Sequence, residues 1–436
     1  MINKIKSKIK SSNIIKNSIV IFSGQTVSSL ISFFSSLMLL QLIGIYGNGV
    51  IAIVQSYSNI FNGLFNFQSY NAMIKFGAES LEKNDSEKFK FYMKQAFLQD
   101  LISAIVAIIF ANIFLNNISA FMGWDKELKL YIQLYTMTIL FNITGSVSAF
   151  LRLFDRFEVG VLINIKITII RSVFIILAYF FDLELTYIII MEIILCIFGN
   201  ILLFYEGYIC LKEKGYNDFL MIKIKFDKEF TMFNLYNNIV STLDMPTGQL
   251  TNIFINKFLG MSEVGVYNIL IKFGSLITRV ASPITQSLLP ELSKMIAKKN
   301  YTSAFRISYK IFIYILMPLI FIIPFIILTY RSWLYLFMPV TRYNIVSLIL
   351  YTIYVFITSS VAPVHLLFVC FNLVKYNLPV VIICNSLYLI SMYILTNLYG
   401  LIGIIISLIF QAILIVSIKV LILINTIKTN KNMEVD

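Results

Sequence analysis

The sequence predicts an all-α polytopic membrane protein, with twelve transmembrane helices arranged as two parallel-repeat six-helix bundles around a central cavity. Hydrophobic residues make up 58% of the 436-residue chain, whereas charged residues make up only 13%. Apolar runs of about 20 residues, which is the length that crosses a bilayer as a helix, recur along the whole chain. They lack the strict two-residue alternation of barrel strands, so helices must satisfy their backbone groups in lipid.

Each bundle contains six predicted spans. The first bundle covers 1–211, with spans at 17–43, 47–76, 95–116, 128–151, 158–181 and 184–206. A cytoplasmic linker covers 212–231, and the second bundle covers 232–436, with spans at 232–257, 264–289, 308–330, 343–370, 376–397 and 400–425. The second span carries several Asn and Gln side chains, which predicts that it packs inside the bundle or borders a cavity.

The orientation follows from the basic residues, which give the chain a net charge of +13. Every second gap between spans, together with both termini, holds 26 Lys and Arg residues, against 5 in the other gaps. By the positive-inside rule, both termini are expected in the cytoplasm. This distribution explains the basic charge without nucleic-acid binding, for which the sequence has no motif. The four cysteines lack the spacing of a metal or redox site, and no cofactor is predicted.

An internal duplication at an offset of 216 residues supports the two-bundle architecture. LIGIYGNGV at 42–50 aligns with FLGMSEVGV at 258–266, and the basic stretch that begins at Lys83 aligns with the one that begins at Lys299. Six spans per repeat give both bundles the same orientation, with a pseudo-two-fold axis along the membrane normal. All eight prolines lie in the second half. Pro246, Pro283 and Pro318 are interpreted either as hinges for switching access or as static kinks.

Ionisable residues at membrane depth are the candidate functional groups, since burying them in lipid is costly. Lys166 and Arg171 fall in the fifth span, and Lys272 and Arg279 fall in the eighth. These four predict a cationic cavity for an anionic solute, because cations, and Arg above all, bind phosphate well.

Few acids lie at the same depth. Glu192 and Asp244 are candidates for coupling to H⁺ or Na⁺, whereas Asp100 and Glu206, near span ends, are expected at the interface. The alternative for Lys272, Arg171 and Arg279 is structural pairing with acids, for example of Lys272 with Asp244. His365, the only histidine, is interpreted as a packed helix residue, with proton relay as the less favoured reading. A few tyrosines could stack on sugar rings.

The pattern resembles the polysaccharide-unit flippases of the polysaccharide transport family. This family belongs to the multidrug, oligosaccharidyl-lipid and polysaccharide exporter (MOP) superfamily. The matching segments are 42–55, 252–272 and Leu-Pro-Glu-Leu-Ser at 289–293. The resemblance implies a flippase, not an enzyme, which moves an undecaprenyl-pyrophosphate-linked oligosaccharide between leaflets of a bacterial cytoplasmic membrane for O-antigen, capsule or exopolysaccharide synthesis. It also implies membrane lipids, a polysaccharide polymerase and chain-length machinery as candidate partners.

Three alternatives are weighed against this reading. A multidrug or cation antiporter of the same superfamily should have an acidic cavity. The peptidoglycan-precursor flippase usually has two further spans. A polysaccharide polymerase or ligase usually has a large extracytoplasmic loop, whereas the longest predicted outer gaps here are 117–127 and 331–342.

Overall fold

The computed structural model describes residues 2–67, 69–223, 226–243, 245–298, 300–371, 373 and 376–432. Within these ranges every regular element is helical, which confirms the predicted fold class. Contacts divide the chain into two compact units, Met1–Met245 and Pro246–Asp436. The observed division, between Met245 and Pro246, lies C-terminal to the predicted linker at 212–231. The linker as the boundary between domains stays a prediction.

The first unit contains nine α-helices: α1 (Ile2–Phe65), α2 (Ser69–Ala72), α3 (Ala78–Glu82), α4 (Ser86–Met122), α5 (Lys126–Thr136), α6 (Gly145–Leu153), α7 (Phe157–Phe180), α8 (Leu185–Glu213) and α9 (Lys228–Thr242). A π-helical turn, Met73–Gly77, joins α2 to α3. The core of this unit packs Phe89 and Phe150 with Phe230 of α9, all fully buried. Such aromatic side chains dominate core stabilisation because each buries a large apolar area.

The second unit begins with a π-helical turn, Pro246–Leu250, and continues through seven α-helices. These are α10 (Thr251–Leu259), α11 (Met261–Ala297), α12 (Tyr301–Leu316), α13 (Leu319–Trp333), α14 (Arg342–Cys370), α15 (Asn377–Tyr399) and α16 (Leu401–Asn432). Helix α14 packs against α11, α12 and α16, so it forms the centre of this unit.

Nine helical segments in the described ranges are long and apolar enough to cross a membrane. One of them, Ser28–Phe65, includes most of the two predicted spans at 17–43 and 47–76. The predicted spans at 232–257 and 264–289 are not among the nine. They correspond to α9 with α10, and to α11.

Several predicted spans are interrupted instead of continuous. The span at 47–76 breaks at Asn66, where α1 has ended. The Asn238 side chain of α9 donates hydrogen bonds to the carbonyl oxygens of Gly63, at 2.9 Å, and Asn66, and so satisfies groups that the helix end leaves unpaired. Pro318 separates α12 from α13, and Pro246 opens the π-helical turn. Pro283 lies within α11, but its side chain is outside the described residues. The hinge interpretation of these prolines stays a prediction.

The segment that follows α8 is held to the first unit by two lysines of α4. Lys94 Nζ donates to the carbonyl oxygens of Leu220, at 2.6 Å, and Ile222, at 2.7 Å. Lys90 Nζ donates to Asp218 Oδ2 at 2.8 Å, and this hydrogen bond lowers the pKa of the Asp218 carboxyl group. Part of the predicted linker is therefore packed against the first unit.

The two aligned glycines of the duplication share an unusual backbone conformation. Gly44 has φ 67° and ψ −177°, and Gly260 has φ 94° and ψ 175°. Only glycine adopts this region readily, because a Cβ atom would clash with the backbone. Gly44 kinks α1, and Gly260 separates α10 from α11. The internal repeat read from the sequence thus appears as repeated local geometry.

Gly44→Ala is expected to lower the free energy of unfolding by about 1–3 kcal/mol. No atom lies within 4 Å of a Cβ built at Gly44, so the cost would arise from the backbone alone. Unfolding of the purified protein in detergent measures this change. Gly160→Ala in α7 is the matched control, since its Cβ also meets nothing within 4 Å. Equal stability of Gly44→Ala and wild type would contradict the kink as described.

Candidate functional site

Two neighbouring helices of the first unit bring a cation and an acid together at membrane depth. Arg171 lies nine residues before α7 ends at Phe180, and Glu192 lies seven residues after α8 begins at Leu185. A short turn joins the two helices, so the similar distances place both side chains at one depth. Arg171 Nε lies 2.6 Å from Glu192 Oε1, and Arg171 Nη2 lies 2.5 Å from the same oxygen.

Polar side chains from other helices surround this ion pair. The Tyr135 hydroxyl of α5 hydrogen-bonds to Gln55 of α1 and lies within electrostatic range of Arg171 and Glu192. We call the four residues Gln55, Tyr135, Arg171 and Glu192 the Arg171 cluster. Polar networks within apolar helices hold their members in one geometry because each unpaired group would be costly in lipid.

The two partners of the ion pair differ in exposure. The Arg171 side chain is 34% exposed, whereas that of Glu192 is 11% exposed. A guanidinium group carries five N–H donors, and the contacts with Glu192 involve Nε and one Nη nitrogen. The cation is therefore the more exposed partner of the pair, and both of its contacts with the acid involve the same carboxylate oxygen, Oε1.

The other predicted site residues are distributed over both units. Lys166 is exposed on α7, five residues before Arg171, and has no described contact with Glu192. Lys272 and Arg279 are half-buried on α11 of the second unit, and both side chains take part in interactions. Asp244 lies outside the described residues. Its proposed coupling role and its pairing with Lys272 therefore remain predictions.

One buried cation was missed by the sequence interpretation. Lys419 of α16 is only 5% exposed, and its Nζ lies 3.3 Å from Nδ1 of His365 on α14. The count of 26 basic residues included Lys419 among the residues of the C-terminus, although Lys419 lies within the helical segment Leu401–Thr426. The sequence could have identified Lys419 as a cation within a span, because the predicted span at 400–425 already contains this residue. Without Lys419 the charge asymmetry between the two sides is nearly unchanged.

Asp100 is buried within α4, with 5% of the residue exposed. Its Oδ2 accepts hydrogen bonds from Ser69 Oγ at 2.6 Å and from the Ser146 backbone N–H at 3.1 Å. The acid therefore joins α2, α4 and α6. Its position at the membrane interface stays a prediction.

The most buried tyrosines of the second unit are packing residues. The rings of Tyr267 and Tyr351 lie edge-to-face, with centroids 5.7 Å apart. Tyr388 is fully buried, and its hydroxyl lies 2.8 Å from Thr251 Oγ1. These three side chains stabilise the contacts of α10, α11, α14 and α15 and are not available to stack on a sugar.

Comparison with known proteins identifies relatives of this chain. The family model described as "Polysaccharide biosynthesis protein" matches residues 14–296. The chain is 21% identical over 251 residues to Inner membrane protein YghQ of Escherichia coli (strain K12), a match that covers 57% of this chain and 71% of that protein.

Solved structures show the same fold. One, described as the inward-facing conformation of a multidrug resistance MATE family transporter of the MOP superfamily, matches with a TM-score of 0.70 and 14% identity, over 96% of this chain and 95% of the other. A MOP superfamily transporter from Pyrococcus furiosus Vc1, described with reverse polarity of its binding pocket, matches with a TM-score of 0.61 and 16% identity, over 96% of each chain.

Proposed function

This chain belongs to the family of polysaccharide biosynthesis proteins, and from that premise we propose that it is a flippase for a lipid-linked oligosaccharide. The cargo is an undecaprenyl-pyrophosphate-linked repeat unit, which moves from the inner to the outer leaflet of the bacterial cytoplasmic membrane by alternating access. The product would enter O-antigen, capsule or exopolysaccharide synthesis. A polymerase and chain-length machinery are the expected partners of this pathway.

The exposure of Arg171 is the observation that carries the proposal. A pyrophosphate group presents several anionic oxygens, and the planar guanidinium fork matches two of them at once. Arg171 is fixed by Glu192 and keeps a third of its side chain exposed. A fixed donor loses less conformational entropy on binding than a mobile one, which strengthens recognition of the head group.

Further cations support the same class of cargo. Lys166 extends the positive charge along α7, while Lys272 and Arg279 place two cations on α11. The polyprenyl tail of the cargo can remain in the bilayer, so the protein needs to shield only the polar head group. Both termini are proposed to lie in the cytoplasm, on the side with most of the basic residues.

Multidrug export is the second candidate, since MATE transporters share the fold. An organic cation would favour an accessible and unpaired acid, whereas Glu192 is 11% exposed and is paired with Arg171. The Pyrococcus furiosus transporter is described as having a binding pocket of reverse polarity, which suggests a different function. This description is consistent with cargoes of different charge being carried by transporters of this fold. We therefore favour the anionic cargo. Coupling to H⁺ or Na⁺ through Glu192 or Asp244 remains part of the proposal.

Deletion of the gene is expected to make lipid-linked oligosaccharide accumulate on the cytoplasmic face of the membrane. Plasmid-borne wild type should restore access of the sugar to an external lectin in spheroplasts, whereas Arg279→Ala should restore less than a tenth of it, as expected for loss of one charged contact of about 1.5–3 kcal/mol. Lys212→Ala, an exposed residue at the end of α8, is the expression-matched control. Normal surface display in the deletion strain, together with sensitivity to cationic drugs, would instead support multidrug export.

A further inference from the structure

An apolar groove of about 340 Å³ lies in the second unit between α12, α14 and α16. Its walls include Tyr309 and Phe312 of α12, Leu367 of α14, and Val416 and Val420 of α16. Its accessible lining is apolar, which fits a hydrocarbon chain and not a sugar or a free anion.

Positive charge lies beside this groove. Arg306 and Lys310 are exposed on α12 and lie one turn apart, beside the stripe of Phe305, Tyr309 and Phe312 that faces the groove. Two exposed cations therefore accompany an apolar groove, a combination that matches a ligand with a hydrocarbon chain and an anionic head group.

We propose that this groove binds one resident anionic glycerophospholipid of the inner leaflet. An acyl chain would occupy the groove, and the phosphate would lie against Arg306 and Lys310. The side of the membrane follows from the basic stretch at 294–310, which the positive-inside rule assigns to the cytoplasm. This inference does not depend on which cargo the protein transports.

The positions of the two exposed cations favour a resident phospholipid over the polyprenyl cargo. Arg306 and Lys310 both lie in the first ten residues of the 36-residue helical segment Tyr301–Leu336. They would therefore fix a head group in one leaflet, whereas a cargo must change leaflets.

The test is lipid titration of the delipidated full-length protein in neutral detergent, followed by native mass spectrometry. Phosphatidylglycerol and phosphatidylcholine with identical acyl chains are compared. We expect one phosphatidylglycerol to bind roughly tenfold more tightly than phosphatidylcholine. Arg306→Gln/Lys310→Gln should remove this preference. Lys212→Gln/Lys214→Gln, which removes two exposed charges from the end of α8, should leave it unchanged.

A second measurement locates the lipid and does not depend on any variant folding. Phosphatidylglycerol with a photoreactive group in its acyl chain should label peptides that contain Tyr309, Phe312 or Val420 in the wild-type protein. Labelling spread evenly over lipid-facing helices would overturn the proposal. Equal binding of the two phospholipids, or an equal loss of preference in the Lys212/Lys214 control, would also overturn it. Selective one-to-one binding of undecaprenyl phosphate in place of phosphatidylglycerol would assign the groove to the cargo.

Discussion

Arg171→Ala is expected to abolish transport of the lipid-linked oligosaccharide, with a rate at least a hundredfold below that of wild type if Arg171 makes a paired contact with the pyrophosphate. Removing one partner of a fully buried ion pair also costs about 3–5 kcal/mol of stability. Because Arg171 is one-third exposed and solvent screening weakens its ion pair, the expected loss lies below that range, at about 1–2 kcal/mol. Transport in proteoliposomes and thermal unfolding in detergent measure the two effects separately.

Glu192→Gln distinguishes a binding role of Arg171 from a purely structural ion pair. The amide keeps the shape of the side chain and still accepts a hydrogen bond from Arg171, while it removes the competing negative charge. If Arg171 binds the cargo, Glu192→Gln should bind head-group pyrophosphate at least as tightly as wild type. If the pair is only structural, both variants should lose stability and transport together. A transport loss in Glu192→Gln with intact binding would point to ion coupling through Glu192.

Gly403→Ala is expected to be the most destabilising of the glycine substitutions. A Cβ built at Gly403 of α16 lies 2.0 Å from the backbone oxygen of Leu395 and 2.4 Å from its carbonyl carbon. Backbone atoms of α15 cannot move aside as the end of a flexible side chain can, so the contact between α15 and α16 must open. We expect a loss of about 3 kcal/mol or more, at the upper end of the range for overpacking.

The yield of monodisperse Gly403→Ala protein and its unfolding midpoint in detergent measure this loss. Gly160→Ala serves again as the control, since alanine is favoured over glycine in a regular helix by about 0.5–1 kcal/mol. Wild-type stability for Gly403→Ala would show that α15 and α16 do not approach as closely as described.

The sequence predicted the fold class well because apolar length and loop charge act over whole helices. The duplication likewise anticipated Gly44 and Gly260, whose matched backbone conformations follow from a shared local requirement for glycine. The break at Asn66 was missed, since hydropathy does not register where a helix ends inside an apolar run, whereas Pro318 was expected to bend or kink its span. Asn238, which caps the break at Asn66, is distant in sequence and could not be assigned to it.

The candidate site was predicted only in part. Arg171 and Glu192 were both recognised as ionisable residues within apolar spans, and structural pairing was an alternative for Arg171, but Glu192 was not identified as its partner. Their similar distances from the turn between α7 and α8 would have indicated it. The exposure difference that favours an anionic ligand is a property of side-chain packing, so no sequence pattern would have indicated it. The contact between Lys419 and His365 also requires the packing of α14 on α16, which sequence spacing does not specify.

Recognition of an anionic, lipid-linked head group is the central claim, and competition in proteoliposomes tests it most directly. Wild-type protein is reconstituted with a fluorescent undecaprenyl-pyrophosphate oligosaccharide, and quenching by an external reductant reports its translocation. We predict protein-dependent translocation that excess undecaprenyl-pyrophosphate sugar slows and that excess organic cation leaves unchanged. Translocation at the rate of protein-free vesicles, together with uptake of the organic cation against its gradient, would contradict the claim.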